Sequence, residues 1–165
     1  MTALSRSDLL RGDFMGGASA MVPPWAAPRD TFVIRCDWCA RCIEACPRGI
    51  VVSGRGGYPA IDFANGLCTF CGKCAESCPT GALSPAAHEA GARPWAVTAH
   101  IDDSCLAFTG IDCRMCEDPC ETRAIRFEPV VGGPPRPAIR ADDCTGCGGC
   151  VRVCPAGAVH VRDGE

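Results

Sequence analysis

Sixteen of the 165 residues are cysteine, and their spacing is regular. Cys36, Cys39, Cys42 and Cys46 form C-x2-C-x2-C-x3-C with Pro47 next; Cys68, Cys71, Cys74 and Cys78 repeat it before Pro79; Cys144, Cys147, Cys150 and Cys154 repeat it before Pro155. The remaining four, Cys105, Cys113, Cys116 and Cys120, form a C-x7-C-x2-C-x3-C variant followed by Glu121. No cysteine is left over, so one motif occurs four times. Thiols in such numbers either pair as disulfides, in an oxidising compartment, or bind metal, in a reducing one.

The spacing favours metal, and a particular one. Three thiolates within seven residues can hold three iron corners of a [4Fe–4S] cubane while the backbone turns around it. The fourth lies one helical turn further on, where the proline tightens the exit. In two-cluster ferredoxins that fourth cysteine reaches the other cluster and locks two repeats together. A four-cysteine zinc site instead draws two ligands from each of two knuckles. The reading is therefore up to four [4Fe–4S] clusters per chain, with all sixteen cysteines as ligands, ahead of zinc or a disulfide framework.

Composition agrees. Ile, Leu, Val and Phe number 31, aromatics are 6% of the chain, and Gly and Pro number 19 and 14. So little apolar volume requires crosslinks or metal to fold. For secretion, the stretch from Phe14 to Pro28 has too many Gly and Pro to serve as a signal core, and Arg6 between Ser5 and Ser7 is no twin-arginine pair. No run approaches the roughly 20 apolar residues of a membrane span. The expectation is a cytoplasmic protein. Oxidised clusters with their thiolates carry about −2 each, which takes the formal charge of −3 to about −11. Such a protein avoids nucleic acid and favours a basic partner surface.

Short apolar segments flank the runs. Phe32 to Ile34, Ala60 to Phe63, Trp95 to Ile101 and Ala138 to Arg140 precede them; Ile50 to Val52, Ala82 with Leu83, Ala124 to Phe127, and Ala158 to Val161 follow. Gly49, Gly81 and Gly157 suit left-handed turns that end short helices. Each repeat reads as strand, cysteine loop, short helix, strand. The fold class is α+β: two tandem ferredoxin-like bicluster units of small strands and short helices. The expected division is a cysteine-free tail over 1–30 with a short helix near Ser7 to Leu10, a unit over 31–90 carrying runs one and two, and a unit over 94–165 carrying runs three and four. A Gly/Pro/Ala-rich linker lies between Leu83 and Pro94. Sequential pairing puts one cluster on Cys36, Cys39, Cys42 and Cys78 and one on Cys68, Cys71, Cys74 and Cys46. In the second unit it joins Cys105, Cys113 and Cys116 to Cys154, and Cys144, Cys147 and Cys150 to Cys120. A nested pairing of outer with outer and inner with inner runs stays open.

The other polar residues form no catalytic set. His88, His100 and His160 are scattered and read as surface histidines. Asp37, Glu44, Glu76, Asp102 with Asp103, and Asp142 with Asp143 read as solvated acids. Trp38, Phe70 and Met115, each between ligands, read as shields against water. No phosphate loop, dinucleotide fingerprint or nucleophile motif occurs, so no enzyme is expected. An electron carrier and a protein acting on another iron–sulfur enzyme both fit, and spacing alone favours the carrier.

Beyond the generic runs, Pro23-Pro24-Trp25, Gly56-Gly57-Tyr58-Pro59, Cys105-Leu106-Ala107, and the odd third run from Cys113 through Arg114, Met115, Cys116, Glu117, Asp118, Pro119 and Cys120 to Glu121 resemble the NapF family of ferredoxin-type proteins. The head departs from relatives expected to have two adjacent arginines near Ser5. The resemblance implies a cytoplasmic partner of NapA, the catalytic subunit of periplasmic nitrate reductase, helping its iron–sulfur cluster form before export. It moves the expected function from electron carriage to maturation, with no nucleic acid and no membrane span.

Overall fold

The computed structural model describes residues 21–85 and 93–163. The helix expected near Ser7 to Leu10, the middle of the expected linker and His88 lie outside them. The described chain forms two compact units. One comprises the residues through Asp62 together with Phe70–Trp95. The other comprises Phe63–Thr69 and the residues from Ala96 onward.

In the first unit, helix α1 (Arg29–Arg35) precedes run one, and α2 (Arg41–Glu44) lies within it. Strands β1 (Val51–Ser53) and β2 (Pro59–Ile61) form an antiparallel hairpin, joined through a tight turn at Arg55–Gly57. Helix α3 (Lys73–Glu76) lies within run two. The expected strand at Phe32 to Ile34 is instead the body of α1. Pro28 with its fixed φ starts that helix, and Asp30 in its first turn and Arg35 in its last complement the dipole. Phe32 is fully buried and faces Tyr58 at 6.2 Å between ring centroids, while the Tyr58 hydroxyl donates to the Val33 carbonyl at 3.4 Å. Burial on one helical face thus overrides the β-branched local preference.

The extended segment lies upstream, in the supposed tail. Ala26 bridges Leu83, the Ala27 amide donates to the Ala82 carbonyl at 2.9 Å, and Ser84 donates to Trp25 at 2.9 Å. Pro23 and Pro24 are fully buried, and the Ile61 amide donates to Met21. Residues 21–30 are therefore structural parts of the first unit. The segment expected as a strand at Ala82 and Leu83 is reduced to this single bridge.

The second unit is built more fully from strands. β3 (Val97–Ile101) pairs antiparallel with β6 (Val159–Asp163), joining the segment before run three to the segment after run four. β4 (Ile125–Val130) and β5 (Gly133–Ile139) form a hairpin with a bulge between Glu128 and Val130. Helix α4 (Gly149–Arg152) lies within run four. Run three forms turns where the other runs have a helix, a departure from the common repeat. Its core is partly thiol: Ala99, Ala124, Ile125 and Val159 cluster with Cys116, Cys144 and Cys150. Cys68 belongs here as well, its amide donating to the Cys147 carbonyl at 2.8 Å.

No helix among the described residues is long and apolar enough to cross a membrane.

Candidate metal centres

Runs one, two and four share a backbone solution. The residue before the second cysteine and the residue after it are both left-handed: Trp38 and Ala40 (φ 56° and 60°), Phe70 and Gly72 (53° and 77°), Gly146 and Gly148 (72° and 77°). Two left-handed residues flanking one ligand curl the chain around a point, which a C-x2-C-x2-C loop needs in order to aim three sulfurs inward. The second of these residues is the N-cap of each short helix. Three residues past the fourth cysteine the chain is left-handed again, at Gly49, Gly81 and Gly157. Run three keeps that last turn with Arg123 (φ 53°) in place of glycine.

Cys36, Cys39, Cys42 and Cys78 line one cavity in the first unit, with about 370 Å³ of free space partly continuous with solvent. In the second unit Cys116 lies within electrostatic reach of Cys105, Cys113 and Cys154, and Cys150 within reach of Cys147, Cys144 and Cys116. Cys120 and Cys154 both pack on the core cluster that contains Cys116, Cys144 and Cys150. Cys46, Cys71 and Cys74 lie in the first unit, and Cys68 in the segment assigned to the second.

The donor set fits a metal cluster. The third cysteine of each of runs one, three and four is buried, and desolvation pushes its thiol up, to about 11 for Cys42 and Cys116 and about 12 for Cys150. Such groups ionise only against a cation, and cluster iron supplies it. Among the described residues no three His, Cys, Asp or Glu stand close enough to share one metal ion. A cubane binds each thiolate to its own iron, so its ligands stand further apart than those of a single ion. Sulfurs also accept hydrogen bonds: from the Leu83 amide to Cys78 at 3.4 Å, Ala99 to Cys144 at 3.4 Å, and Ala158 to Cys154 at 3.2 Å. Thr80 and Thr122 hydroxyls lie 3.7 and 3.8 Å from Cys78 and Cys120. At Cys46 and Cys78 backbone hydrogen bonds outweigh desolvation and lower the thiol pKa.

Run three reaches its ligands differently. The Cys105 amide donates to Asp102, and the longer spacer folds back through Phe108 and Thr109 donating to Cys105 and Ile111 donating to Leu106. Arg114, between two ligands, sits over the Phe127 ring at 5.5 Å and within 4 Å of Asp112 and Glu117.

The expected shields are only partly so. Phe70 packs edge-on against Trp95 at 5.9 Å, but Trp38 and Met115 are 56% and 52% exposed. With two residues between ligands, the loop leaves these side chains at the rim. Strand pairing brings His100 opposite His160, a proximity that sequence separation hid. His160 bonds Asp102 at 2.9 Å, and Asp102 also accepts from the Ser104 amide and hydroxyl. Those bonds, the Ser104 hydroxyl first, hold the Asp102 carboxyl below its ordinary value. This acid organises the turn into Cys105 and is not merely solvated.

Two family models match, each described as a 4Fe-4S dicluster domain, over residues 35–83 and 111–158. The second begins after Cys105, near the end of the long spacer. The chain is 37% identical to the ferredoxin-type protein NapF of Escherichia coli K12, over 94% of this chain and 92% of that one. It is 42% identical to the NapF of Haemophilus influenzae over 86% and 78% of the two chains. Against the methylamine utilization ferredoxin-type protein MauM of Paracoccus denitrificans the identity is 32%, over 88% and 71%. With two dicluster domains and sixteen cysteines the cofactors are [4Fe–4S] clusters, and the chain belongs to the NapF family of ferredoxin-type proteins.

Proposed function

We propose that this chain acts in the cytoplasm on NapA, the catalytic subunit of periplasmic nitrate reductase, assisting formation of its iron–sulfur cluster before export. The likeness to NapF over nearly the whole chain carries the reading. All sixteen cysteines serve as ligands, in the four sequentially paired sets. The chain is a carrier or assembly partner and not an enzyme. An acidic holo protein meets a basic partner surface, so added salt weakens the complex.

The test has two parts. Holo protein should capture NapA from cytoplasm, and deleting the gene should leave NapA present but inactive and poor in iron. Full NapA activity with artificial electron donors in the deletion strain overturns maturation and favours the second reading, a soluble multi-cluster electron carrier. The repeated [4Fe–4S] domains are what favour that alternative.

A further inference from the structure

Two of the proposed sets, one led by run one and one by run four, have very different surroundings. In the first, the loop from Asp37 to Arg41 is exposed throughout, Cys39 included, and its set lines an open cavity. Arg41 lies between two ligands, and Arg35 flanks the run; Asp37 and Glu44 are the acids between ligands there. In the second, the run-four loop contains Thr145, Gly146, Gly148 and Gly149 between its ligands, with no charge. Cys144, Cys150 and all three of those glycines are buried. Phe63 covers Gly148 so closely that a Cβ there would lie 2.2 Å from the ring, and Leu67 and Pro119 stand against Gly149. Just outside that loop, Asp143 is paired with Arg140 at 3.1 Å and Asp142 adds a negative charge.

Both sets accept hydrogen bonds at sulfur: from Leu83 and Thr80 at Cys78, Ala99 at Cys144 and Thr122 at Cys120. The two sets differ in the charge and exposure of their loops. Reduction adds one negative charge to a cluster that is already anionic. A nearby cation and open water favour that, while burial without charge disfavours it.

We propose that, of these two clusters, the one on Cys36, Cys39, Cys42 and Cys78 is an electron port and the first to be reduced, and the one on Cys144, Cys147, Cys150 and Cys120 is the last. This rests on the ligand sets proposed above. Arg41 acts as a tuning residue on the port, and the exposed Trp38 and Cys39 form the rim that a redox partner approaches.

The test is an anaerobic titration of the holo protein with dithionite, followed by electron paramagnetic resonance. Each cluster takes one electron, its core passing from 2+ to 1+, as dithionite is oxidised to sulfite. In Arg41→Gln, which leaves every ligand and the α2 backbone in place, the ratio of reduced to oxidised form of the first-reduced cluster should fall roughly threefold at fixed potential, with the last unmoved. Cys42→Ala should abolish the first signal and Cys150→Ala the last. An unmoved first signal in Arg41→Gln, or loss of the first signal in Cys150→Ala, overturns the proposal. Iron content separates this from failure of the ligand sets. If the cysteine variants keep all their iron, the sets are wrong; if they lose it but the order of reduction is reversed, the port assignment is wrong.

Discussion

At the residue scale, the left-handed positions decide which side chains the loops accept. Ala40, Gly72 and Gly148 occupy the same place in their runs, yet only at Gly148 does an aromatic ring fill the space of a Cβ. Gly148→Ala should destabilise the holo protein by about 2–3 kcal/mol, through overpacking on Phe63 plus backbone strain. Ala40→Gly should be mildly stabilising, since glycine relieves the left-handed strain there. Anaerobic urea midpoints of the two variants check this. Arg123 holds a left-handed turn that its three counterparts give to glycine, so Arg123→Gly should raise the midpoint, with a stability gain of about 1 kcal/mol, relief of strain exceeding the added chain entropy. Asp102 bears on acid stability. Its folded pKa is depressed, so its contribution is present above the ordinary carboxylate value near 3.8 and is lost as pH falls through the lower folded value. Asp102→Asn should flatten the stability profile in that acid range, measured as iron release against pH.

At the element scale, the first unit replaces a strand with α1 and keeps only one bridge where the second has the five-residue β3–β6 pairing. α1 is too short to persist alone, so its place depends on the burial of Phe32. Phe32→Ala should cost about 3–4 kcal/mol. Far-ultraviolet circular dichroism and the iron content of the first unit should fall together. The turns of run three hold their ligands without the left-handed pair of the other loops, through carbonyl-capped turns and the Arg114–Phe127 contact. Their stability comes from tertiary contacts, where the other runs rely on local backbone geometry.

At the scale of the whole molecule, cysteine takes the place of aliphatic side chains. Three of the seven buried members of the main cluster in the second unit are cysteines, and the first relies on a few large residues such as Phe32, Ile50 and Leu83. Metal binding is then also folding free energy. Anaerobically isolated holo protein should hold about sixteen iron and about sixteen sulfide per chain. Removing the iron with a chelator under reducing conditions should unfold both units, seen as loss of amide dispersion in NMR spectra. Retained tertiary structure in the apo protein would refute this.

The spacing of sixteen cysteines determined the cofactor, the repeat and the left-handed exits at Gly49, Gly81 and Gly157, because ligand loops are made from contiguous residues and their geometry is local. The odd character of run three was legible for the same reason. Tertiary structure decided what depends on distant partners. Phe32 becomes helical because Tyr58 covers it, residues 21–27 join the first unit because Ala82, Leu83 and Ser84 complete their hydrogen bonds, and His160 meets Asp102 only through strand pairing. Phe63 to Thr69 belong with the second unit because Cys147 accepts the Cys68 amide and Gly148 leaves room for the Phe63 ring. Neither a local preference nor a motif encodes such partners, since each contact is settled by burial between segments far apart in the chain.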